Sequence, residues 1–275
     1  MKSPKTLILL IVGFLLPSHA FAAQPDQYIL YGDSRTNLAT HEKVIKSFMA
    51  FHPKAIFHTG DLVWDGQDPQ EWATFSTRFL PLYAKGHADF YPALGNHERH
   101  GKTFFSLFNL PLNKGWYAVH QGPLLFLILD STSAMHVGSE QYLWLKTQLD
   151  TLPSSNRFVF PIFHHPLFSK GSHAQDDMNL RPILLPLFEK AHISAAFSGH
   201  DHNYQRFWYN NMTFITTGGG GAPLYGQTRN ANDSQKFVKA HHFCVMTVAT
   251  DNSQVTVTAY TPELEILDSF TIKHR

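Results

Sequence analysis

The sequence predicts an α/β fold, a four-layer αββα sandwich with two packed mixed β-sheets. Predicted helices and strands alternate along most of the chain, which is typical of α/β proteins. The run at residues 124–129 is apolar throughout, as expected for a strand that is covered on both faces. Only β-rich sequence follows the last predicted helix. Two sheets packed face to face, with helices on the outer faces, account for these three observations.

Apolar runs and turn residues locate the individual elements. In chain order they are strand 28–31, helix 40–51, strand 55–57, helix 69–80, strand 90–94, strand 124–129, helix 139–149, strand 158–163, helix 181–190 and strands 193–197, 212–217, 243–250, 254–260 and 266–272. Ser139 is the predicted N-cap of its helix, with Glu140 in the first turn. The turn sequence at residues 153–156 ends that helix, and the Phe-rich stretch at 104–108 is predicted to be core.

Residues 1–22 are predicted to be a secretory signal peptide. Lys2 and Lys5 precede an apolar run at residues 7–16, and Ala20-Phe21-Ala22 is a small-x-small cleavage signal. The run is too short to span a membrane comfortably, so a signal peptide is favoured over a membrane anchor. The protein is therefore expected to be secreted or periplasmic, with no membrane span after cleavage. Residues 23–275 have the length of one large domain.

Composition excludes some partners and favours one kind of metal chemistry. The net charge is +1, and Lys and Arg are scattered, so nothing indicates a nucleic-acid polymer or an anionic membrane as partner. Cys244 is the only cysteine, which excludes an internal disulfide. The chain has 18 histidines, and this combination favours nitrogen and oxygen ligands over thiolates. The sequence does not indicate an oligomeric state.

Five polar motifs follow apolar runs, at positions where a buried strand delivers its loop to the edge of a sheet. The motifs are Gly32-Asp33-Ser34-Arg35, Gly60-Asp61, Gly95-Asn96-His97-Glu98, His164-His165-Pro166 and Gly199-His200-Asp201-His202. Two carboxylates, one amide and three imidazoles of these motifs would then converge. Such a set of ligands is typical of a two-metal hydrolase.

The order of the motifs resembles the calcineurin-like metallophosphoesterase superfamily. Its pattern runs Asp, Gly-Asp, Gly-Asn-His-Asp/Glu, a lone His and Gly-His-x-His. The purple acid phosphatase-like branch is the closest match, because the last motif continues as Asn203-Tyr204-Gln205-Arg206. Trp116-Tyr117 and the glycines at 218–221 also fall where that branch has similar residues. The resemblance covers residues 28–225.

The resemblance implies six ligands for two divalent or trivalent ions. They are Asp33, Asp61, Asn96, His164, His200 and His202. Asp61 would bridge the ions, since one carboxylate can hold two metals about 3.5–4 Å apart. Asp33 and His202 would complete the first site, whereas the amide and the other two imidazoles would complete the second. These ligands suit Fe, Zn or Mn, and the sequence does not choose among them.

Substrate-facing residues are also implied. His97 would contact phosphate or protonate the leaving group, with Glu98 orienting its ring; alternatively it only positions Asn96. His173 resembles a substrate-facing histidine of the purple acid phosphatase branch. His165 follows the aligned ligand and is expected to stay outside the metal shell.

Two positions depart from the pattern of the relatives. Arg35 stands where many superfamily members have histidine, and a guanidinium cannot ligate a cation. It would clamp phosphate oxygens, or else cap a helix or form a surface salt bridge. Trp64 stands where purple acid phosphatases have an iron-ligating tyrosine, and an indole has no acceptor. The first ion is left with Asp33, Asp61 and His202 as its evident ligands.

The predicted function is hydrolysis of phosphate monoesters of small molecules by an acid phosphatase-like metallophosphoesterase. A water or hydroxide on the ion pair would attack phosphorus, because the ions lower the pKa of bound water from 15.7 toward about 7. One alternative is a phosphodiesterase or nucleotide pyrophosphatase on the same scaffold, since loops select the substrate. A non-catalytic binding relative is the other alternative, favoured by Arg35 and Trp64.

Overall fold

The structure is a computed structural model that describes residues 25–152, 158–173, 176, 178–230 and 234–273. The helices are α1 (Leu38–Met49), α2 (Pro69–Arg78), α3 (Leu80–Lys85), α4 (Lys102–Leu107), α5 (Glu140–Asp150) and α6 (Arg181–Lys190). The strands are β1 (Gln27–Tyr31), β2 (Ala55–His58), β3 (Asp89–Pro92), β4 (Tyr117–Gln121), β5 (Leu124–Ile128), β6 (Phe158–Ile162), β7 (Ala195–Ser198), β8 (Tyr204–Tyr209), β9 (Met212–Thr217), β10 (Ser234–Val238), β11 (Phe243–Val248), β12 (Gln254–Tyr260) and β13 (Ile266–Lys273). The predicted signal peptide and the predicted turn at 153–156 lie outside these residues.

The strands form two mixed sheets. The six-stranded sheet has the order β13-β12-β11-β1-β2-β3, and the seven-stranded sheet has the order β10-β8-β9-β7-β6-β5-β4. Pairing is parallel from β1 to β3 and among β5, β6, β7 and β9, and it is antiparallel toward the edges that carry β4, β10 and β13. The predicted α/β fold with two packed mixed sheets is confirmed.

Three apolar clusters separate the layers. The middle cluster joins the two sheets; for example, the rings of Phe57 and Phe126 lie 3.9 Å apart between their centroids. One outer cluster packs helices α1 to α4 on the six-stranded sheet, and the other packs α5 and α6 on the seven-stranded sheet. All five residues of β5 are buried, as its unbroken apolar run predicts. Burial of both faces of each sheet supplies most of the hydrophobic stabilisation.

Local signals explain where several helices begin and end. Ser139 caps α5 as predicted, since its side chain accepts a hydrogen bond from the backbone N–H of Tyr142. The predicted helix at 69–80 is instead two helices, because Pro81 in the first turn of α3 has no N–H to continue α2. Phe104 and Phe105 are buried core residues as expected, although they lie on the short helix α4 rather than in a loop.

Acid is expected to destabilise the fold through His242, which is fully buried. Its Nδ1 donates to the carbonyl of Ala240 at 2.9 Å, and its Nε2 has no hydrogen-bond partner within the described parts of the chain. Burial lowers the pKa of this imidazole to about 4. In the unfolded chain the pKa of this histidine is about 6.5. Above about pH 6.5 the imidazole is neutral in both states, and its burial does not reduce the free energy of unfolding. As the pH falls toward 4, His242 is protonated first in the unfolded state, and the free energy of unfolding falls by roughly 3 kcal/mol.

Urea unfolding at pH 7 and pH 4.5 tests this expectation. The variant His242→Phe removes the buried imidazole and should lose less free energy of unfolding between the two pH values than the wild type. A matched control is His120→Phe, which removes an exposed histidine and should keep the wild-type dependence. Equal losses in the wild type and His242→Phe would show that another group dominates.

No helix among the described residues is long and apolar enough to cross a membrane.

Candidate metal centre

The predicted ligands lie in loops that follow parallel strands of both sheets. In the six-stranded sheet, β1 leads to Asp33, β2 to Asp61 and β3 to Asn96, whereas in the seven-stranded sheet β6 leads to His164 and β7 to His200. The carboxyl ends of neighbouring parallel strands meet at one edge of a sheet. Because the two sheets pack face to face, their loops meet at one place.

The loops reach the centre through unusual backbone conformations. Asp33, Asp61 and His200 have φ angles of 56°, 60° and 70°, a left-handed region that non-glycine residues rarely adopt and that is common at functional sites. Gly60 has a φ of 101°, and a Cβ there would lie 2.8 Å from the ring of His164. Only glycine therefore allows the loop of Asp61 to approach the seven-stranded sheet this closely.

Three donor atoms lie around Nε2 of His164 and form with it what we call the His164 group: Oδ1 of Asp61, Oδ1 of Asn96 and Nδ1 of His200. His164 Nε2 lies 3.0 Å from the Asn96 atom, 3.2 Å from the His200 atom and 3.5 Å from the Asp61 atom. Ligands about 2.1 Å from a tetrahedral ion lie about 3.4 Å apart. The three separations from His164 Nε2 are close to this value and are compatible with one shared ion, and the nitrogen and oxygen donors suit Zn, Mn or Fe.

Hydrogen bonds and burial prepare the imidazoles to ligate. His164 Nδ1 donates to the carbonyl of Thr59 at 2.9 Å, which leaves the lone pair of Nε2 free for the centre. Burial lowers the pKa of His164 and of His200, and it lowers the pKa of His202 to about 4. The three rings are therefore neutral near pH 7, which is the form that binds a metal.

The residues predicted for the first ion also lie together, but a cation is already among them. Ligand atoms of Asp33, Asp61 and His202 lie within 4.8 Å of one another, and all three residues are buried. The guanidinium of Arg35, only 7% exposed, donates through Nε to Asp61 Oδ2 at 3.0 Å. Its Nη2 lies 3.3 Å from His202 Nε2. The surface salt bridge and the capping role are thus wrong for Arg35, since its ion pair is buried and Asn37 caps α1.

The electrostatics of this corner favour positive charge. Burial raises the pKa of the Asp33 carboxyl well above its usual range, the charge of Asp61 adds to this effect, and Arg35 opposes it. Two buried carboxylates side by side are unfavourable unless a cation compensates them. The guanidinium provides part of that compensation.

Glu98 has a different role from the predicted one. Its carboxylate accepts backbone N–H bonds from Asp61 at 2.9 Å, Leu62 at 2.8 Å and Gly95 at 2.6 Å. It is fully buried, and burial raises its pKa to about 8. Glu98 therefore holds the loop of Asp61 against the loop of Asn96. The prediction that it orients the ring of His97 is wrong, because His97 Nδ1 instead donates to the carbonyl of Trp64 at 2.5 Å.

A cleft of about 320 Å³ opens beside the His164 group, two of whose residues, Asn96 and His200, line it. Its lining residues are Arg35, Trp64, Asn96, His97, His173, His200, Pro223 and Tyr225. His97 and His173 thus both face the cleft, and the ring of His173 lies 3.8 Å from that of His200 between centroids. All three residues predicted to face substrate line one cavity beside the His164 group.

His165 lies closer to the centre than the sequence suggests. A ring nitrogen of His165 lies within 4.8 Å of ligand atoms of His164 and His200. Its Nδ1 is 3.0 Å from the hydroxyl of Ser131, and burial lowers its pKa to about 4. The motif His164-His165 alone does not reveal that both rings point toward the same loops.

The sequence model of the calcineurin-like phosphoesterases matches residues 27–204, which is more than half of the chain. The protein therefore belongs to the calcineurin-like phosphoesterase family. Among its relatives is a protein named probable inactive purple acid phosphatase 24 of Arabidopsis thaliana, 26% identical over 62% of this chain and 31% of that relative. Another is purple acid phosphatase 1 of Ipomoea batatas, 25% identical over 63% of this chain and 40% of that relative. The chain thus spans less than half of either purple acid phosphatase.

A third relative is the nucleotide pyrophosphatase/phosphodiesterase of Hordeum vulgare, 23% identical over 80% of this chain and 72% of that relative. Two solved structures show the same fold. A purple acid phosphatase from yellow lupin (Lupinus luteus) seeds matches with a TM-score of 0.76 and 20% identity, over 92% of this chain and 54% of that one. GAP50 of Plasmodium matches with a TM-score of 0.77 and 20% identity, over 92% of this chain and 90% of that one.

Proposed function

We propose that the protein is a metal-dependent phosphoesterase that hydrolyses phosphate monoesters of small molecules. The observation that carries the proposal is the His164 group, a set of four neutral or anionic donors spaced for one ion at the floor of a cleft. Family membership supports the general reaction class. Fe, Zn and Mn all suit these donors.

The proposed residue roles follow from position. The His164 group would hold an ion, with Asp33 and His202 beside it. A bound ion would neutralise phosphate charge and lower the pKa of water in the site. The guanidinium of Arg35 would donate hydrogen bonds to phosphate oxygens, because it lines the cleft and is permanently charged.

Two histidines are proposed to manage protons at the leaving group. The bond from His97 Nδ1 to the carbonyl of Trp64 fixes the ring and turns Nε2 toward Asp61, 3.9 Å from its Oδ2. His97 would deliver a proton to the departing oxygen, and His173, which also lines the cleft, would assist or bind substrate. Export to the cell envelope or beyond, with a single domain at residues 23–275, is part of the same proposal.

A diester or pyrophosphate substrate is the second candidate. The exposed ring of Trp64 lines the cleft, and a base or aryl group of the substrate would stack on it. The relative from Hordeum vulgare bears a name of this kind. The word "inactive" in the name of the Arabidopsis thaliana relative keeps a non-catalytic binding protein as the third candidate.

Hydrolysis assays separate these candidates. Purified protein would be stripped of metal, reconstituted with Zn²⁺, Mn²⁺ or Fe²⁺, and assayed with nitrophenyl phosphate and with bis-nitrophenyl phosphate. We expect metal-dependent hydrolysis that is faster for the monoester. Faster diester hydrolysis would favour the second candidate, and no hydrolysis of either ester by protein that retains metal would contradict the enzyme proposal.

A further inference from the structure

The guanidinium of Arg35 occupies the place where the first ion would have to bind. Its Nε donates to Asp61 Oδ2 at 3.0 Å, and its Nη2 lies 3.3 Å from His202 Nε2. The backbone N–H of Arg35 also donates to the carbonyl of Asp61 at 3.2 Å. The arginine is therefore tied to the Asp61 loop by both its main chain and its side chain.

Two of the acceptor atoms that a first ion would need already accept hydrogen bonds from Arg35. His202 Nδ1 donates to the carbonyl of Pro223 at 2.6 Å, so Nε2 is the acceptor in the neutral ring. That acceptor faces Arg35 Nη2, and Oδ2 of Asp61 accepts from Arg35 Nε. A metal ion at this position would displace two hydrogen bonds and lie beside a permanent positive charge. Asp33, Asp61 and His202 therefore do not fit a first ion while Arg35 is in place.

Trp64 supports the same arrangement. The central carbon of the Arg35 guanidinium lies 5.0 Å from the centre of the indole ring, a distance at which the ring attracts the cation. An indole has no acceptor for a metal. Trp64 thus holds the guanidinium and supplies no ligand, so the two departures from the family pattern act together.

The His164 group is linked to Arg35 through Asp61. Its contact with Arg35 is indirect, because Asp61 offers Oδ2 to the guanidinium and Oδ1 to the His164 side. The carboxylate that would bridge two ions in a relative here bridges one ion site and one arginine.

We infer that the centre holds a single ion, in the His164 group, and that Arg35 takes the place of the other ion as a built-in cation. The inference rests on the metal centre of the proposed function. It assigns to a side chain the charge neutralisation that a second metal would otherwise provide.

Metal content tests the inference without any activity assay. Protein stripped of metal would be loaded with excess Mn²⁺ or Zn²⁺, passed through a desalting column and analysed by inductively coupled plasma mass spectrometry. We expect one ion per wild-type chain, none in His164→Ala, and one in Asp33→Asn. The variant Arg35→Ala should bind a second ion at least tenfold more tightly than the wild type in a calorimetric titration.

Two further variants complete the design. Arg35→His with Trp64→Tyr restores an imidazole and a phenol as ligands, and it should retain two ions per chain. Arg206→His removes another partly buried arginine, which pairs with Asp268, and should retain one ion. Circular dichroism checks that each variant is folded. If the double variant is unfolded, the number of ions bound by Arg35→Ala alone tests the inference.

The outcomes are distinct. Two tightly held ions in the wild type, or one ion in both Arg35 variants, would overturn the inference and leave the proposed function standing. Loss of the ion in Asp33→Asn but not in His164→Ala would also overturn it. A wild-type chain that retains no metal would instead contradict the proposed metal centre itself.

Discussion

Replacing His164 with alanine is expected to remove the bound ion and to lower phosphoesterase turnover by at least about a thousandfold, since an ion in such a site contributes several kcal/mol of transition-state stabilisation. Nε2 of His164 faces the other three donors of the His164 group at 3.0–3.5 Å. The ring is fully buried, so a side chain from the surface would not take its place as a ligand. Metal analysis and initial rates with nitrophenyl phosphate measure both losses.

The neighbouring His165 provides the matched control. Its ring is buried beside the same loops, and its Nδ1 contacts Ser131. His165→Ala removes an equal volume, and we expect that variant to keep its ion. If His165→Ala lost the metal and His164→Ala kept it, the assignment of the two histidines would be reversed.

Replacing His97 with alanine is expected to lower turnover by about a hundredfold to ten thousandfold, the usual contribution of a general acid. The bound ion should remain, because the side chain of His97 is not one of the four donors of the His164 group. Its ring lines the cleft and is held by the carbonyl of Trp64. Rates for esters with leaving groups of different basicity test the role, since a good leaving group needs less protonation.

The readouts for His97 distinguish chemistry from structure. His97→Ala should lose more activity on a poor leaving group such as an alkyl phosphate than on a nitrophenyl ester. His136→Ala removes an exposed histidine and should match the wild type on both esters. Metal loss equal to the activity loss in His97→Ala would mean that His97 supports the loop of Asn96 instead.

Long apolar runs made much of the fold predictable, and weakly patterned segments did not. The bounds of α6, β9 and β12 match the prediction, since each is strongly apolar or flanked by turns. The strands β4, β8 and β10 were not predicted. β4 and β10 lie at the edges of the seven-stranded sheet and are mostly half-buried, so they lack the apolar pattern that marks a covered strand. β8 carries Gln205 and Arg206 among its aromatic residues, which obscures its apolar pattern.

The sequence predicted which residues would lie close together, but not the contacts they make. Motifs at strand ends locate the donors, because strand direction brings those ends to one edge. The partners of Glu98 and Arg35 depend on folding over long distances in the chain. Glu98 accepts a hydrogen bond from the backbone N–H of Asp61, 37 positions earlier, and Arg35 contacts His202, 167 positions later. Sequence spacing carries no information about such directions, so the metal roles of the six ligands remain predictions.

The His164 group draws Asp61 and Asn96 from one sheet and His164 and His200 from the other. A cation bound there would cross-link the loops of the two sheets. Because the unfolded chain does not form such a site, the free energy of metal binding would add to the stability of the folded state. The stability of the packing between the two sheets and the activity of the site would then depend on the same four atoms.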